Sequence, residues 1–128
     1  MWVRNREREA MPTKESRDLI SNGDFDKQLD QSYNFVQLRG RVSAPAVEKI
    51  LPSEDRIVEF RLVVSRSSRS GVDTLDIAAW NSKARRKALT LKQDQWVEIT
   101  GKVHRRFWQG AQGIASRWQI EASEITRI

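Results

Sequence analysis

The feature that most constrains the fold of this chain is an alternation of apolar and polar residues that recurs in five segments between residues 36 and 122. An alternation of period two is typical of β-strands that bury one face and expose the other. The apolar positions are, segment by segment, Val36, Leu38, Gly40 and Val42; Val58, Phe60, Leu62 and Val64; Leu75, Ile77 and Ala79; Val97, Ile99, Gly101 and Val103; and Trp118, Ile120 and Ala122. The sequence therefore predicts five half-buried strands.

The segments between these strands predict the connections. A turn region containing Pro45 and Pro52 follows the first strand. Residues 66–71 predict a flexible basic hairpin loop, and residues 109–113 predict a glycine-containing turn. Two of the connections are therefore hairpins, which make neighbouring strands antiparallel.

One segment, between the third and fourth predicted strands, has a helical period instead. Ala84, Ala88 and Leu91 recur at spacings of three and four residues, and Asn81 or Ser82 can cap the helix that they define. Five strands with one helix at this place match the OB-fold, a Greek-key barrel that binds oligonucleotides on a strand face and its loops. We therefore predict an all-β, five-stranded OB-fold over residues 33–128.

Residues 1–32 differ from the rest of the chain in pattern. They have no sustained apolar period, and Pro12 and Gly23 interrupt any helix, so we predict a polar, flexible N-terminal arm. Met11 is an alternative start of translation. The total of 128 residues leaves room for a single domain after this arm.

Composition limits the chemistry of the chain. It has no cysteine and one histidine, His104, which excludes disulfides, thiolate–zinc sites and multi-histidine metal sites. No motif brings two titratable groups together for acid–base catalysis, so we predict a protein that is not an enzyme and needs no cofactor. The apolar runs are too short to span a bilayer and the N-terminus lacks a secretory apolar segment, so we predict a cytoplasmic protein.

Charge is unevenly distributed along the chain. Residues 1–32 carry six basic and seven acidic side chains, whereas residues 33–128 carry seventeen and ten. A basic domain attached to a nearly neutral arm indicates that the folded part meets a polyanion, of which nucleic acid is the commonest, although basic surfaces also serve solubility alone.

A tryptophan falls on the basic side of the fourth predicted strand. Trp108 is in phase with Lys102 and Arg106 and out of phase with the apolar positions. Bases of single-stranded nucleic acid stack on exposed rings for about 1–3 kcal/mol each, while nearby basic side chains follow the phosphates. Arg105 and Phe107 add a second cation and a second ring. We therefore predict a single-strand binding site here; a bulge that turns the rings inward, or a neighbouring subunit that covers Trp108, is the alternative.

The other tryptophans have different predicted roles. Trp80 points outward at the end of the third predicted strand and is a second stacking candidate beside Lys83, although it could equally wedge under the helix. Trp118 is in phase with the apolar positions of the fifth strand, and Trp96 begins the fourth strand after a turn. We predict that both pack in the core, because indole rings are usually buried.

Further basic residues could extend the binding surface. Arg66 and Arg69 lie in the serine-rich loop, which could close over a ligand or be a solvated turn. Arg41 and Arg61 share the outward face of the first two strands with Arg39. These three could extend a groove, or could form surface ion pairs with Glu59 or Glu98.

Four segments resemble those of a known family: Asn34–Val42, Phe60–Arg66, Ile77–Trp80 with Ala84, and Val97–Val103 followed by Arg106–Trp108. The last is the most specific, because a glycine-containing strand leads to a basic–tryptophan pair. The segments resemble the bacterial single-stranded DNA-binding proteins, a family of homotetrameric OB-folds that coat unwound DNA in replication, repair and recombination. The resemblance runs from Asn34 to about Ile128.

The resemblance implies specific site residues and a partner. It implies stacking aromatics at Trp108 and Trp80, basic positions facing phosphates at Arg106 and Arg117, single-stranded DNA as ligand, and a homo-oligomer, either a tetramer or a dimer. Two positions where the family often has tryptophan are here Ser68 or its neighbour and Thr74, which implies fewer stacking platforms. The chain stops without the family's flexible tail and acidic tip for recruiting repair and replication enzymes, so we expect a truncated chain or a paralogue with a narrower task.

Two other functions remain open from the sequence. An OB-fold that serves as a protein-interaction or scaffolding module would bury Trp108 at an interface and keep its partners at high salt, whereas a groove that follows phosphates weakens as salt rises. An RNA-binding OB-fold would use the same stacking and phosphate contacts, because the contacts to the 2′-hydroxyl that separate RNA from DNA do not show in a sequence.

Overall fold

Residues 29–128 are described in the computed structural model of the chain, so most of the predicted flexible arm over residues 1–32 lies outside them. From Phe35 to Ile128 the chain forms six strands and one helix. In chain order these are β1 (Val36–Val42), β2 (Val47–Ile50), β3 (Arg56–Ser65), β4 (Val72–Ala79), α1 (Ser82–Leu89), β5 (Trp96–Gly110) and β6 (Gly113–Arg127). The five predicted strands correspond to all of these strands except β2.

The strands form one sheet that closes on itself. Its order is β1-β5-β6-β4-β3-β2, and β1 also pairs with β3 through Arg41 opposite Val63 and Val42 opposite Leu62. All pairs are antiparallel except β4 with β6. Five strands therefore form a closed ring, which confirms the all-β class with one short helix, and β2 lies at the remaining edge beside β3.

The prediction that residues 45–55 are a turn region was wrong for part of that segment. Val47–Ile50 form β2, which pairs with β3 from Val47 opposite Glu59 to Ile50 opposite Arg56. All four residues of β2 are exposed, so the strand carries no alternation of burial. A strand that is held by backbone pairing at an edge leaves no period-two signal in the sequence.

The core is built from the predicted inward positions of the ring strands. Its fully covered members include Val42, Val58, Leu62, Ile77, Val97 and Ile99. Helix α1 packs against β3, β4 and β6 and buries Ala84 and Ala88. Of the two predicted caps, Asn81 is the N-cap, since its side chain accepts a hydrogen bond of 2.7 Å from the Ala84 backbone N–H. Arg86 and Lys87 in the last turn complement the negative end of the helix dipole.

Two glycines allow backbones to approach closely inside the ring. A Cβ at Gly40 would lie 2.4 Å from the Val63 carbonyl oxygen, at the place where β1 meets β3. A Cβ at Gly101 would lie 2.1 Å from the Glu121 carbonyl oxygen. Both glycines occupy predicted inward positions, and their role there is to let two strands approach rather than to fill the core.

Strand β6 contains a bulge beside Gly101. Thr100 pairs with Glu124 and Gly101 pairs with Ala122, which leaves Ser123 as an extra residue. The Ser123 hydroxyl donates a hydrogen bond of 2.9 Å to the Thr100 carbonyl oxygen. The bulge lets Ala122 and Ile125 both face the core, although they are three residues apart.

Strands β5 and β6 extend beyond the ring as a hairpin. Strand β1 covers β5 as far as Gly101, and β4 covers β6 only from Ile120 onward. Among the strand pairings of residues 35–128, residues 102–119 pair only within this hairpin, Lys102 and Val103 with Glu121 and Ile120 and the rest with one another. We call this segment the hairpin arm.

Two tryptophans predicted to pack in the core are exposed, so both predictions were wrong. Trp118 is 61% exposed because it lies in the hairpin arm, where no further strand covers the face that continues the core. Trp96 is 52% exposed because it is in phase with Glu98 and Thr100, the outward positions of β5. For Trp96 the alternation itself gave the correct side, and the general tendency of indole to be buried did not.

Candidate nucleic-acid interface

The hairpin arm has two faces that are set by its register. Residues directly opposite each other in an antiparallel pair point to the same side of the sheet, and neighbours along a strand point to opposite sides. Arg106 is paired with Arg117, and Arg105 is paired with Trp118. The front face includes Lys102, His104, Arg106, Trp108, Ala115, Arg117 and Gln119, and the back face includes Val103, Arg105, Phe107, Gln109, Ile114, Ser116 and Trp118.

On the front face, Trp108 lies beside two guanidinium groups. The Arg106 guanidinium carbon is 5.9 Å from the centre of the Trp108 ring, and that of Arg117 is 5.8 Å from it. The indole is 39% exposed, which confirms its predicted outward placement. An aromatic surface and two cations therefore stand together, as contacts to bases and phosphates require.

Two acidic side chains of the ring hold these arginines in place. Arg106 forms an ion pair with Glu59 at 2.9 Å, and Arg117 forms one with Asp76 at 3.8 Å. Asp76 also receives Arg61 at 3.3 Å, so Arg61 is joined to the front face through a shared carboxylate. These acidic partners of Arg106 and Arg117 were not predicted from the sequence; the available signal was the outward position of Glu59 on β3 and of Asp76 on β4.

Glu59 is the most tightly held carboxylate of this surface. It accepts a hydrogen bond of 2.7 Å from the Gln119 amide. It also forms ion pairs with Lys49, at 2.8 Å, and with Arg106. Burial by itself raises the pKa of Glu59, but the hydrogen bonds and the two positive charges outweigh it. The pKa of Glu59 therefore lies below its ordinary value of 4.5.

An open cleft of about 340 Å³ adjoins the front face. Arg117 and Gln119 line one side of it, and Lys49 on β2 lines another. Its remaining lining combines charged and apolar residues, among them Pro45, Val47, Glu59, Arg61 and Asp76. The cleft thus continues the cationic surface from Trp108 toward β2 and β3.

The structure places two of the predicted site residues on the back face instead. Arg105 and Phe107 alternate with Arg106 and Trp108, so they point away from the front face. The Arg105 guanidinium lies 5.2 Å from the Phe107 ring centre and 5.4 Å from that of Trp118. The predicted set is therefore divided between two sides of one hairpin.

The other predicted residues lie around the ring. Trp80, at the end of β4, is half-buried, and its carbonyl oxygen accepts a hydrogen bond from the Arg85 side chain. Lys83 is exposed on α1. Lys102 is exposed on the front face at the base of the arm, opposite Glu121.

Three predicted arginines stand apart from Trp108. Arg66 forms an ion pair of 3.1 Å with Asp73 across the β3–β4 loop, and Arg69 is exposed in the same loop. Arg41 on β1 lies 3.5 Å from Asp94. The predicted alternative of surface ion pairs is confirmed for Arg39 with Glu98, at 2.9 Å.

The hairpin arm differs from the rest of the domain in its charge. Residues 102–120 contain four Lys or Arg side chains and no Asp or Glu. The two acidic partners of the front face belong to the ring, and none lies on the arm itself. The arm thus presents a cationic surface on both sides.

Residues 29–128 contain neither a metal-binding cluster of side chains nor a membrane-spanning helix. Their His, Asp and Glu side chains form no group of three that could hold a metal ion. None of their helical segments has the length and apolar character needed to cross a membrane.

The fold is that of a solved OB-fold complex. The structure described as a Plasmodium falciparum SSB complex with ssDNA superposes with a TM-score of 0.65 and 21% sequence identity, over 77% of this chain and 97% of that one. The ring, the helix between β4 and β5 and the long final hairpin therefore form an OB-fold, as predicted.

Sequence comparison identifies the family. The model of the single-strand binding protein family matches residues 33–128, so this chain belongs to that family. The single-stranded DNA-binding protein of Streptococcus mutans is 28% identical over 73% of this chain and 65% of that protein. Single-stranded DNA-binding protein 1 of Streptococcus agalactiae is 29% identical over 73% of this chain and 66% of that protein. The matched region thus spans slightly less than two thirds of these relatives.

Proposed function

We propose that residues 33–128 form a domain that binds single-stranded DNA without marked sequence specificity. The observation that carries the proposal is the front face of the hairpin arm, where Trp108 stands beside Arg106 and Arg117 on a segment without acidic residues. Membership of the single-strand binding protein family supports the choice of ligand.

The proposed mechanism combines stacking with phosphate contacts. A base stacks on the Trp108 ring, and Arg106, Arg117 and Lys102 neutralise the flanking phosphates. Every base has a π-face, so this contact tolerates any sequence. Single strands are preferred over duplex because the bases of a duplex are stacked on one another and their faces are not available.

Two carboxylates of the ring of strands can exchange their arginine partners with the phosphates of DNA. Arg106 and Arg117 are ion-paired with Glu59 and Asp76 before DNA arrives, which holds both guanidinium groups beside the indole. A phosphate that approaches exchanges with these carboxylates or shares the arginines with them. We propose that Arg61, on the same shared carboxylate, extends the path of the backbone along the cleft.

We assign secondary roles to the remaining predicted residues. Trp80 adds a stacking surface on the ring of strands, through the exposed part of its indole, with Lys83 beside it. Arg66 and Arg69 contact phosphate from the β3–β4 loop, and Arg41 does so from β1. These residues lie on four different elements, so together they would guide a strand around the ring rather than form a single pocket.

Family membership also suggests the biological setting. We propose that the protein acts at unwound DNA in replication, repair or recombination, in the cytoplasm at the nucleoid, and that it does so as a homo-oligomer without catalysing a reaction. Sedimentation equilibrium tests the oligomeric state, and we expect the mass of a tetramer or a dimer.

The central experiment is a tryptophan-fluorescence titration with oligo-dT and with duplex of the same length, at several salt concentrations. We expect quenching by oligo-dT, much weaker binding of duplex, and an affinity that falls steeply as salt rises, because bound phosphates displace counterions. Binding that does not change with salt would point instead to a protein-interaction module.

The site itself is tested by Trp108→Ala. We expect this change to weaken binding of oligo-dT by about 1–3 kcal/mol while the domain stays folded by circular dichroism. Trp96→Ala is the matched control, because Trp96 is an exposed tryptophan outside the hairpin arm, and we expect its affinity to equal that of the wild type. Equal affinities of all three proteins would remove Trp108 from the site.

A further inference from the structure

The back face of the hairpin arm is a large exposed surface that the proposed front-face site does not use. Phe107 is 60% exposed, Trp118 is 61% exposed, and Ile114 near the tip is 76% exposed. Trp118 continues the side of β6 that buries Ile120 in the ring. Apolar residues on this side would normally be covered, but β4 pairs with β6 only from Ile120 onward and leaves them without a neighbouring strand.

The centre of this surface is an ordered arginine between two rings. Arg105 contacts the rings of both Phe107 and Trp118, at 5.2 and 5.4 Å. Its Nε and Nη2 atoms donate hydrogen bonds of 3.2 and 3.0 Å to the Ser116 hydroxyl, which fixes the guanidinium in place. The back face therefore repeats the chemistry of the front face, with two rings around one cation instead of two cations beside one ring.

Charge decides which partner suits this surface. The arm carries four Lys or Arg side chains and no carboxylate between residues 102 and 120, so a second copy of the same arm would meet it with like charge. A polyanion with flat apolar groups satisfies both the cation and the rings. Single-stranded nucleic acid has this composition, because its bases present π-faces and its phosphates present charge.

We propose that the back face is a second stacking surface, which takes bases of the same DNA strand after that strand has passed the front face. The arm is a two-stranded ribbon, and neighbouring strands lie about 4.8 Å apart, so a strand that leaves Trp108 passes the edge or the tip of the arm to reach Trp118. This inference rests on the proposed function and extends it, since the arm is then held by DNA on both sides.

The proposal makes the effect of a back-face substitution depend on the length of the DNA. The probes are two lengths of oligo-dT. The shorter, of about 6 nucleotides, is near the lower end of the usual site sizes of one OB-fold, and the longer, of about 30 nucleotides, exceeds them. For Trp118→Ala we expect a loss of affinity of at least about fivefold with the longer probe and of less than about twofold with the shorter one. Trp108→Ala weakens both probes.

Two further variants control the experiment. Leu89→Ala removes an exposed apolar side chain outside the arm, at the end of α1, and we expect wild-type affinity for both probes. Trp118→Phe retains a ring at this position and restores most of the affinity for the longer probe. This rescue separates stacking from a general effect on the hairpin.

The outcomes distinguish this proposal from the proposed function. If Trp118→Ala leaves the longer probe unaffected while Trp108→Ala weakens it, the back face is not a DNA surface and the front-face site stands. Equal losses with both probes overturn the proposal as well, because Trp118 then acts through the front face. A changed mass in sedimentation with unchanged DNA binding identifies a protein interface instead. If the wild type binds neither probe, the proposed function itself fails.

Discussion

The two ends of the β5–β6 hairpin have the same alternation of side chains and opposite degrees of burial. At the end inside the ring, Val97 and Ile99 are fully covered. In the hairpin arm, Phe107 and Trp118 occupy the side that continues the core, and more than half of each side chain is exposed. The difference lies in the neighbouring strands, because β1 covers β5 only to Gly101 and β4 covers β6 only from Ile120.

The side that a residue faces and the burial of that side are two separate properties of a strand. The phase of a strand decides which side a residue faces, and the extent to which other strands lie beside it decides whether that side is covered. Inside the ring the apolar side chains stabilise the fold. In the arm the same side is available for a ligand, so its residues are expected to affect binding rather than stability.

The largest expected difference between the two ends is in stability. Ile99→Ala should lower the free energy of unfolding by about 2–5 kcal/mol, because it removes a fully buried side chain and leaves a cavity. Phe107→Ala should change it by less than about 0.5 kcal/mol, because the side chain is exposed. Urea denaturation measures both, and a loss at Phe107 as large as that at Ile99 would show that something covers the arm.

A second contrast concerns close backbone approach in the ring. Gly101→Ala should destabilise the fold by about 1–3 kcal/mol, because the added methyl group would stand 2.1 Å from the Glu121 carbonyl oxygen. Thermal denaturation monitored by circular dichroism measures this loss. Ala115→Gly, in the arm, is the comparison variant and should cost less. A stable Gly101→Ala protein would mean that β5 and β6 can separate at the bulge.

Glu59 tests the connection between the arm and the ring. Glu59→Gln should lower stability at pH 7 by about 1–2 kcal/mol, because the carboxylate holds both Arg106 and Lys49. The pKa of Glu59 is below 4.5 in the folded protein, so this contribution is present above pH 4.5 and is lost as the pH falls through the folded pKa.

Unfolding curves from pH 7 to pH 3 check this prediction. The difference between the wild type and Glu59→Gln should stay constant down to about pH 5 and shrink below pH 4.5. A difference that grows as the pH falls would contradict the assignment of the network to the ionised form of Glu59.

The smallest effect is expected for an ion pair on the surface of the ring. Glu98→Gln removes the partner of Arg39, whose side chain is 68% exposed, and should change stability by less than about 1 kcal/mol. Added salt should reduce the effect further, since exposed charges are screened. Urea denaturation at low and at high salt measures it, and a larger loss that persists in salt would show that this pair is shielded from solvent.

The sequence predicted most of the ring and one side of the site. Five strands, the helix and the outward position of Trp108 follow from local periodicity, which a single strand or helix contains in itself. The prediction for Trp118 failed because its burial depends on where the pairing of β4 with β6 begins, and that limit is not encoded near position 118. Strand β2 was missed for a related reason, since an exposed edge strand has no apolar side.

The charged partners of the site show another limit of the sequence. Glu59 forms ion pairs with Lys49 and with Arg106, and the three residues belong to three different strands. These contacts depend on strand register and on the orientation of the hairpin arm. The alternation of residues placed Glu59 on β3 and Arg106 on β5 on the correct side of each strand. It does not show which opposite charge on another strand each side chain will meet. The division of Arg105 and Arg106 between the two faces, by contrast, follows from alternation.

The bulge at Ser123 has a consequence for how this gene can change in length. Because Ser123 is the extra residue between two intact stretches of pairing, loss of its codon would leave Ala122, Glu124 and all their partners on their present sides. Loss of a codon between Trp118 and Ala122 would instead carry Trp118 to the front face and Arg117 to the back, and would take one guanidinium away from Trp108. Insertions and deletions in β6 should therefore be tolerated at the bulge and selected against between it and the arm.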